Sequence, residues 1–237
     1  MADKVIVSRE KLVAVADAIR TKGNTNKVLT LDEMPQAIDG IQGDCGGTDD
    51  SLNAYFGKTI EDVDCDAAIS VNPYAFYQNE GIKKVRFANA TTIGSNNFQS
   101  CENLESIDLP MVTGSSGVYF CAGCEKLVSI NIPSLTELGT YAFQSCSVIE
   151  KIDLPLVESI GNYSFRYTKK LKTLILRYEG VVAAKGSGIF SGSSISSSTG
   201  YIYVPKALID SYKTATNWAT YANQFRAIED YPEITGG

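Results

Sequence analysis

The 237-residue sequence contains no histidine. That absence removes the commonest general base, the commonest metal ligand and every Ser/His or Cys/His nucleophile. Catalysis, if present, would have to run on carboxylates alone. Positive charge is also scarce: 21 Lys and Arg face 27 Asp and Glu, a formal net charge of −6. Such a chain repels duplex nucleic acid and anionic lipid, so neither is expected as a partner. No window approaches the run of about 18 apolar residues that a spanning helix needs, and membrane insertion is not expected. The first residues, MADKVIVSREKL, lack the apolar centre of a secretory signal. The expectation is synthesis in the cytoplasm without a signal peptide. Cysteine is sparse too, at Cys45, Cys65, Cys101, Cys121, Cys124 and Cys146. Six in a chain of this length do not make a disulfide scaffold, and a reducing compartment favours free thiols.

What the sequence does have is a repeat. IKKVRFA from Ile82 is followed by LESIDLP from Leu104, LVSINIP from Leu127, IEKIDLP from Ile149 and LKTLILR from Leu171, in steps of 22, 23, 22 and 22 residues. A phenylalanine precedes each segment, at Phe76, Phe98, Phe120, Phe143 and Phe165, and in the last four units Gly94, Ser116, Gly139 or Gly161 stands four residues before it. L-x-x-I-x-L reads as a short strand with alternate side chains inward, and the rest of the unit turns the chain back. One unit cannot bury its own apolar face, so the units must stack as a solenoid with strands about 4.8 Å apart. The five strands are expected in one parallel sheet, with Phe98, Phe120, Phe143 and Phe165 in a buried column. Pro110, Pro133 and Pro155 end three strands, where a missing N–H does least harm.

The segments IGSNNFQSCENLESIDLP, LGTYAFQSCSVIEKIDLP and IGNYSFRYTKKLKTLIL resemble leucine-rich repeats of the BspA type. The resemblance covers about residues 70 to 205. It implies an α/β repeat fold, a leucine-rich-repeat solenoid with a parallel β-sheet, and an interaction role of the kind found in surface and phage-encoded proteins of gut and oral bacteria.

Two flanks complete the organisation. Residues 1–41 are expected to form a small helical unit: Ser8 suits an N-cap, Leu12, Val15, Ala16 and Ile19 share a stripe, and Gly23 is a stop. Thr30 and Glu33 have capping-box spacing before a second short helix, although Pro35 could instead mark a later start. QGDCGGTDDS at 42–51 reads as a flexible linker, leaving 52–237 for the solenoid with a cap from about 205. The segment DAIRTKGNTNKVLTLDEMPQAI is similar to one near the start of tail-associated structural proteins of Firmicutes phages and prophages. YIYVPKALIDSYKTATNWATYANQFRAI resembles the terminal strand and helical cap that follow BspA-type repeats. A cap is physically required, and Leu208, Tyr212, Trp218, Tyr221 and Phe225 are the residues available for it. KGSGIFSGSSISSSTG reads as an irregular last repeat.

Several motifs suggest chemistry and are better explained by the repeat. Cys121 and Cys124 form C-x-x-C, but Cys101, Cys124 and Cys146 each stand three residues before a strand-leading residue, which makes them one buried turn ladder. Cys121 is then the extra residue of the 23-residue step. Asp62, Asp64 and Asp66 open like a calcium loop, yet Ala67 replaces the turn glycine and Pro73 the bidentate glutamate. No metal is expected. Lys185, Gly186, Gly188 and Gly192 fit neither phosphate-loop pattern, and no cofactor is implied.

Binding is instead expected on the repeated faces. Alternation points Ser106 and Asp108, Ser129 and Asn131, Lys151 and Asp153, and Thr173 and Ile175 outward. The candidate binding residues are Arg86, Asp108, Asn131 and Asp153, although a solvated sheet face would look the same. A second column, Tyr74, Asn96, Val118, Tyr141 and Tyr163, reads first as packing between turns and second as an aromatic contact strip. The function so read is a non-enzymatic phage or prophage structural protein, virion-associated after lysis, whose solenoid contacts a protein or cell-surface glycan. The alternatives are a cytoplasmic or non-classically released protein-binding solenoid and an enzyme using carboxylates alone.

Overall fold

The computed structural model describes residues 61–64, 69–180 and 183–236. The helical unit expected at 1–41 and the linker at 42–51 lie outside the described residues, as do Cys45, Cys65 and Asp66. In chain order the strands are β1 (Asp62–Asp64), β2 (Ser70–Val71), β3 (Lys84–Arg86), β4 (Thr92–Ile93), β5 (Ser106–Asp108), β6 (Ser129–Asn131), β7 (Glu137–Leu138), β8 (Lys151–Leu154), β9 (Ser159–Ile160), β10 (Thr173–Leu176), β11 (Ala184–Lys185), β12 (Tyr201–Val204) and β13 (Phe225–Ala227). Two short helices, α1 (Ile209–Thr214) and α2 (Pro232–Thr235), belong to the C-terminal region.

Each repeat makes one coil of a parallel solenoid. The apolar positions of the long strands point in: Ile82, Val85 and Phe87, then Leu104, Ile107 and Leu109, and their counterparts through Leu171, Leu174 and Leu176 are buried, apart from the partly buried Ile130. Burying one such side chain contributes about 1.5–3 kcal/mol, so the repeated triplet drives the stacking. Five phenylalanines expected from the repeat, with Phe190 as a sixth, form a continuous ring column: successive centroids from Phe76 to Phe190 lie 5.5 to 6.0 Å apart.

The expected single sheet is two. The long strands pair in the orders β1-β3-β5-β6 and β13-β12-β10-β8, and the short return strands in the orders β2-β4 and β11-β9-β7. Both breaks flank the unit that carries the extra residue. Thr113 N–H donates to Thr91 O, but the equivalent Thr136 N–H donates to Gly114 O instead of Thr113 O. The extra residue is therefore Gly114, a bulge at φ +69° with open space around its Cα, and not Cys121. Because the bulge lies in the return row, Ser115 bridges forward to Glu137 while the ladder back to β4 is lost. In the long row Ile130 of this unit is only partly buried, while Leu127 and Ile132 on either side of it are buried. Strand β6 pairs with β5 but lies beside β8 without completing a ladder.

The C-terminal region covers two surfaces. Tyr212, Trp218 and Phe225 are buried, and Trp218 and Tyr221 close the phenylalanine column with ring centroids 6.3 and 5.1 Å from Phe190. Trp218 Nε1 donates to Ala183 O at 2.7 Å, and Ala183 N–H donates to the Tyr212 hydroxyl at 3.0 Å. Leu208 and Tyr221 are partly buried against the same core. The last residues then fold back over the outer face of β8-β10-β12-β13. Tyr231 packs edge-on to Tyr203 at 5.6 Å, and Lys151 Nζ donates to Ile234 O at 2.6 Å. Ile175, expected to face solvent, is fully buried, because an apolar residue in an outward position is stable only under such a cover.

Candidate functional site

Strand register places Asp64, Arg86, Asp108 and Asn131 side by side on the outer face of β1-β3-β5-β6. Arg86 Nη1 reaches Asp64 Oδ1 at 3.0 Å and its Nε reaches Asp108 Oδ2 at 3.3 Å. Asn131 Nδ2 donates to Asp108 Oδ1 at 2.7 Å. The four groups thus form one hydrogen-bonded ladder across four strands. Side-chain exposures of 43% for Arg86 and 37% for Asp108 keep each pair in the range of a surface salt bridge, up to about 1 kcal/mol. Asp153, the fourth candidate, does not join them. It lies on the second sheet, where Arg177 forks it with Nε at 3.0 Å and Nη2 at 2.7 Å. Asp64, which reads as part of a failed calcium loop, is the ladder's first member; among the described residues no His/Cys/Asp/Glu cluster could hold a metal.

The cysteines form the expected turn ladder. Cys101 donates from Sγ to Phe76 O at 2.8 Å, Cys124 to Phe98 O at 3.0 Å and Cys146 to Cys121 O at 3.1 Å. Every acceptor is the middle residue of the turn in the unit before. Cys121 itself takes a phenylalanine slot: its N–H donates to Ala142 O as Phe143 N–H does to Ser164 O. Phe120, one place earlier, supplies the ring. All four thiols are buried and free, and burial pushes Cys101, Cys121 and Cys146 well above the ordinary thiol value, which makes them poor nucleophiles.

The turns carry a third ladder. Each turn has two left-handed residues four apart, and tyrosine occupies five of these positions: Tyr74, Tyr119, Tyr141, Tyr163 and Tyr167, at φ +54° to +63°. Gly188 and Gly192 hold the equivalent places in the last turn. A bulky residue there costs about 1 kcal/mol or more that glycine would avoid. Tyr119, Tyr141 and Tyr163 stack face to face, with centroids 4.7 and 5.3 Å apart and planes within 10°. The Gly114 bulge shifts the register here, so Tyr119, not Val118, is the rung. Arg166 lies over Tyr163 and Tyr167, 5.5 and 4.5 Å from the ring centroids, and donates from Nη2 to the Tyr167 hydroxyl at 2.7 Å. Sequence reading missed Arg166 and Tyr167; the second left-handed position of each turn, marked by Gly123 and Gly192, was the available signal.

The BspA type leucine-rich repeat region matches residues 69–196 in six copies, more than half of the chain. The chain belongs to the BspA-type leucine-rich-repeat family. The solenoid is similar to a leucine-rich cell surface protein from Faecalibacterium prausnitzii A2-165, with 15% identity and a TM-score of 0.36, over 68% of this chain and 64% of that one. It is also similar to a leucine-rich-repeat protein from Bacteroides ovatus ATCC 8483, with 15% identity and a TM-score of 0.37, over 65% of this chain and 57% of that one. The chain thus spans under two thirds of the length of either structure. No curated protein matches.

On the outer strand face of this BspA-type solenoid, Arg86 separates Asp64 from Asp108, and Arg177 holds Asp153. Among the described residues, no helix is long and apolar enough to cross a membrane.

Proposed function

We propose that this BspA-type solenoid is a non-enzymatic binding module whose strand face over β1-β3-β5-β6 contacts a protein or cell-surface glycan. The observation that supports it most is the unequal treatment of one face. Over β8-β10-β12-β13 the C-terminal segment folds across the outer surface and buries Ile175 and Tyr203. Over β1-β3-β5-β6 the ladder of Asp64, Arg86, Asp108 and Asn131 has no such apolar residue in register with it. Polar groups in fixed register give a partner directional contacts at little ordering cost.

The resemblance of residues 17–38 to tail-associated proteins supports placing the module on a phage or prophage particle, released by lysis. Mass spectrometry of purified particles from an induced host tests this: the chain should co-purify with tail proteins, and its absence from particles rules out the assignment. Binding of the labelled full chain to bacterial cells tests the face. Asp108→Lys with Asn131→Ala should reduce it at least tenfold, well beyond the small drop in melting midpoint expected from losing two surface contacts. Unchanged binding would move the contact elsewhere.

A further inference from the structure

We propose that the Tyr119–Tyr141–Tyr163 ladder, extended by Arg166 and Tyr167, is a second binding strip that takes one chain of a uronic-acid polysaccharide lying along the solenoid axis. The proposal shares the reading of the solenoid as a binding module but concerns a different face.

The first ground is backbone strain without a backbone reason. Asn96 and Gly188 occupy the same left-handed position as the three tyrosines, and both residue types adopt it more readily. Tyrosine is kept three times in succession where the fold does not require it. The side chains are therefore what the positions serve. Gly188 and Gly192 make room at the end of the strip: a Cβ on Gly188 would lie 2.5 Å from the Tyr163 ring, and one on Gly192 2.6 Å from the Tyr167 ring.

The second ground is the spacing. Because the ring faces are used by stacking, the ladder presents its edges, half-exposed, and the hydroxyls of Tyr119, Tyr141 and Tyr163 have no hydrogen-bond partner among the described residues. A phenol hydroxyl both donates and accepts, as a sugar hydroxyl does. The rungs repeat at 4.7 and 5.3 Å. An extended pyranose chain advances by about one ring per rung at that spacing. An extended peptide rises about 3.3 Å per residue and falls out of step.

The third ground is charge. Arg86 and Arg177 are ion-paired, whereas Arg166 has no acidic partner among the described residues. Residues 161–177 contain Arg166, Lys169, Lys170, Lys172 and Arg177 and no acid, in a chain of net charge −6. A guanidinium fixed over two rings, with donors to spare, fits the carboxylate of one uronate residue at that end of the strip.

Calorimetric titration of the full chain with short polygalacturonate oligomers, and with the same oligomers after carboxyl reduction, tests the proposal. Saturable binding to the uronate form is expected, at least tenfold tighter than to the reduced form. The triple variant Tyr119→Phe, Tyr141→Phe, Tyr163→Phe keeps the stack and should weaken binding at least tenfold at an unchanged melting midpoint. Arg166→Gln should erase the preference for the uronate form. Val128→Ser, exposed and part of neither ladder, should bind the oligomers as the unaltered chain does. No saturable binding, equal binding of both oligomers, or no effect of either strip variant overturns the proposal. Loss on Asp108→Asn alone assigns the sugar to the strand face instead.

Discussion

Arg177 stands where three earlier units carry Pro110, Pro133 and Pro155, and its guanidinium forks the carboxylate of Asp153 one strand back. An ion pair stands here in place of a chain-stiffening residue, on the sheet that the C-terminal segment crosses. With side-chain exposures of 28% and 31%, this is the least exposed ion pair among the described residues. A double-mutant cycle of Arg177→Ala and Asp153→Asn should give a coupling of about 0.5–1 kcal/mol that shrinks in high salt. A coupling of zero would mean that the fork is incidental.

The phenylalanine column should carry much of the stability. Phe143→Ala and Phe120→Ala each should cost about 3–5 kcal/mol in urea denaturation, since both rings are enclosed between neighbours. Val128→Ser, on an exposed position of the same solenoid, should stay within about 0.5 kcal/mol. Similar losses at Phe120 and Phe143 would show that a ring supplied from one residue earlier packs as well as the others.

Two glycines separate strain from collision. Gly114→Ala meets open space but keeps φ +69°, so it should cost about 1 kcal/mol. At Gly139 a Cβ would fall 1.8 Å from Gly117 O, a backbone atom that cannot step aside. Gly139→Ala should therefore lower the melting midpoint far more than Gly114→Ala. The reverse order would contradict the stacking of these turns.

The buried thiols make stability pH-dependent at the alkaline end. Burial raises Cys101, Cys121 and Cys146 above 9.0 in the folded chain, while the unfolded chain ionises near that value. Above it the unfolded state binds fewer protons, so stability is full below about pH 9 and falls as pH rises, by up to about 1.4 kcal/mol per pH unit for each thiol. Replacing the three with serine or alanine should flatten that slope in denaturation series at pH 8 to 10. In freshly purified native protein the four described cysteines should resist thiol reagents that react fully after unfolding.

The repeat period, the parallel solenoid, the phenylalanine column, the cysteine ladder and the aromatic cap were all legible, because each recurs at fixed spacing and has one way to bury its apolar groups. Local pattern failed where neighbours decide. Ile175 occupies an outward position by alternation, and only the returning C-terminal segment makes it a core residue. The extra residue was read as Cys121 because a cysteine out of column is conspicuous, whereas the hydrogen bonds assign it to Gly114. Of the four candidate binding residues, Arg86, Asp108 and Asn131 do share a face, since register follows from the repeat; Asp153 left them when the sheet broke.

The sequence by itself determined which residues turn inward and how far apart the coils lie, since a 22-residue period of apolar anchors admits one stacking direction and one column for each position. Only the tertiary structure decided which outward columns stay open, where the ladder is interrupted and which charged groups find each other. Those outcomes depend on contacts across many coils, between residues such as Lys151 and Ile234 that no local spacing connects.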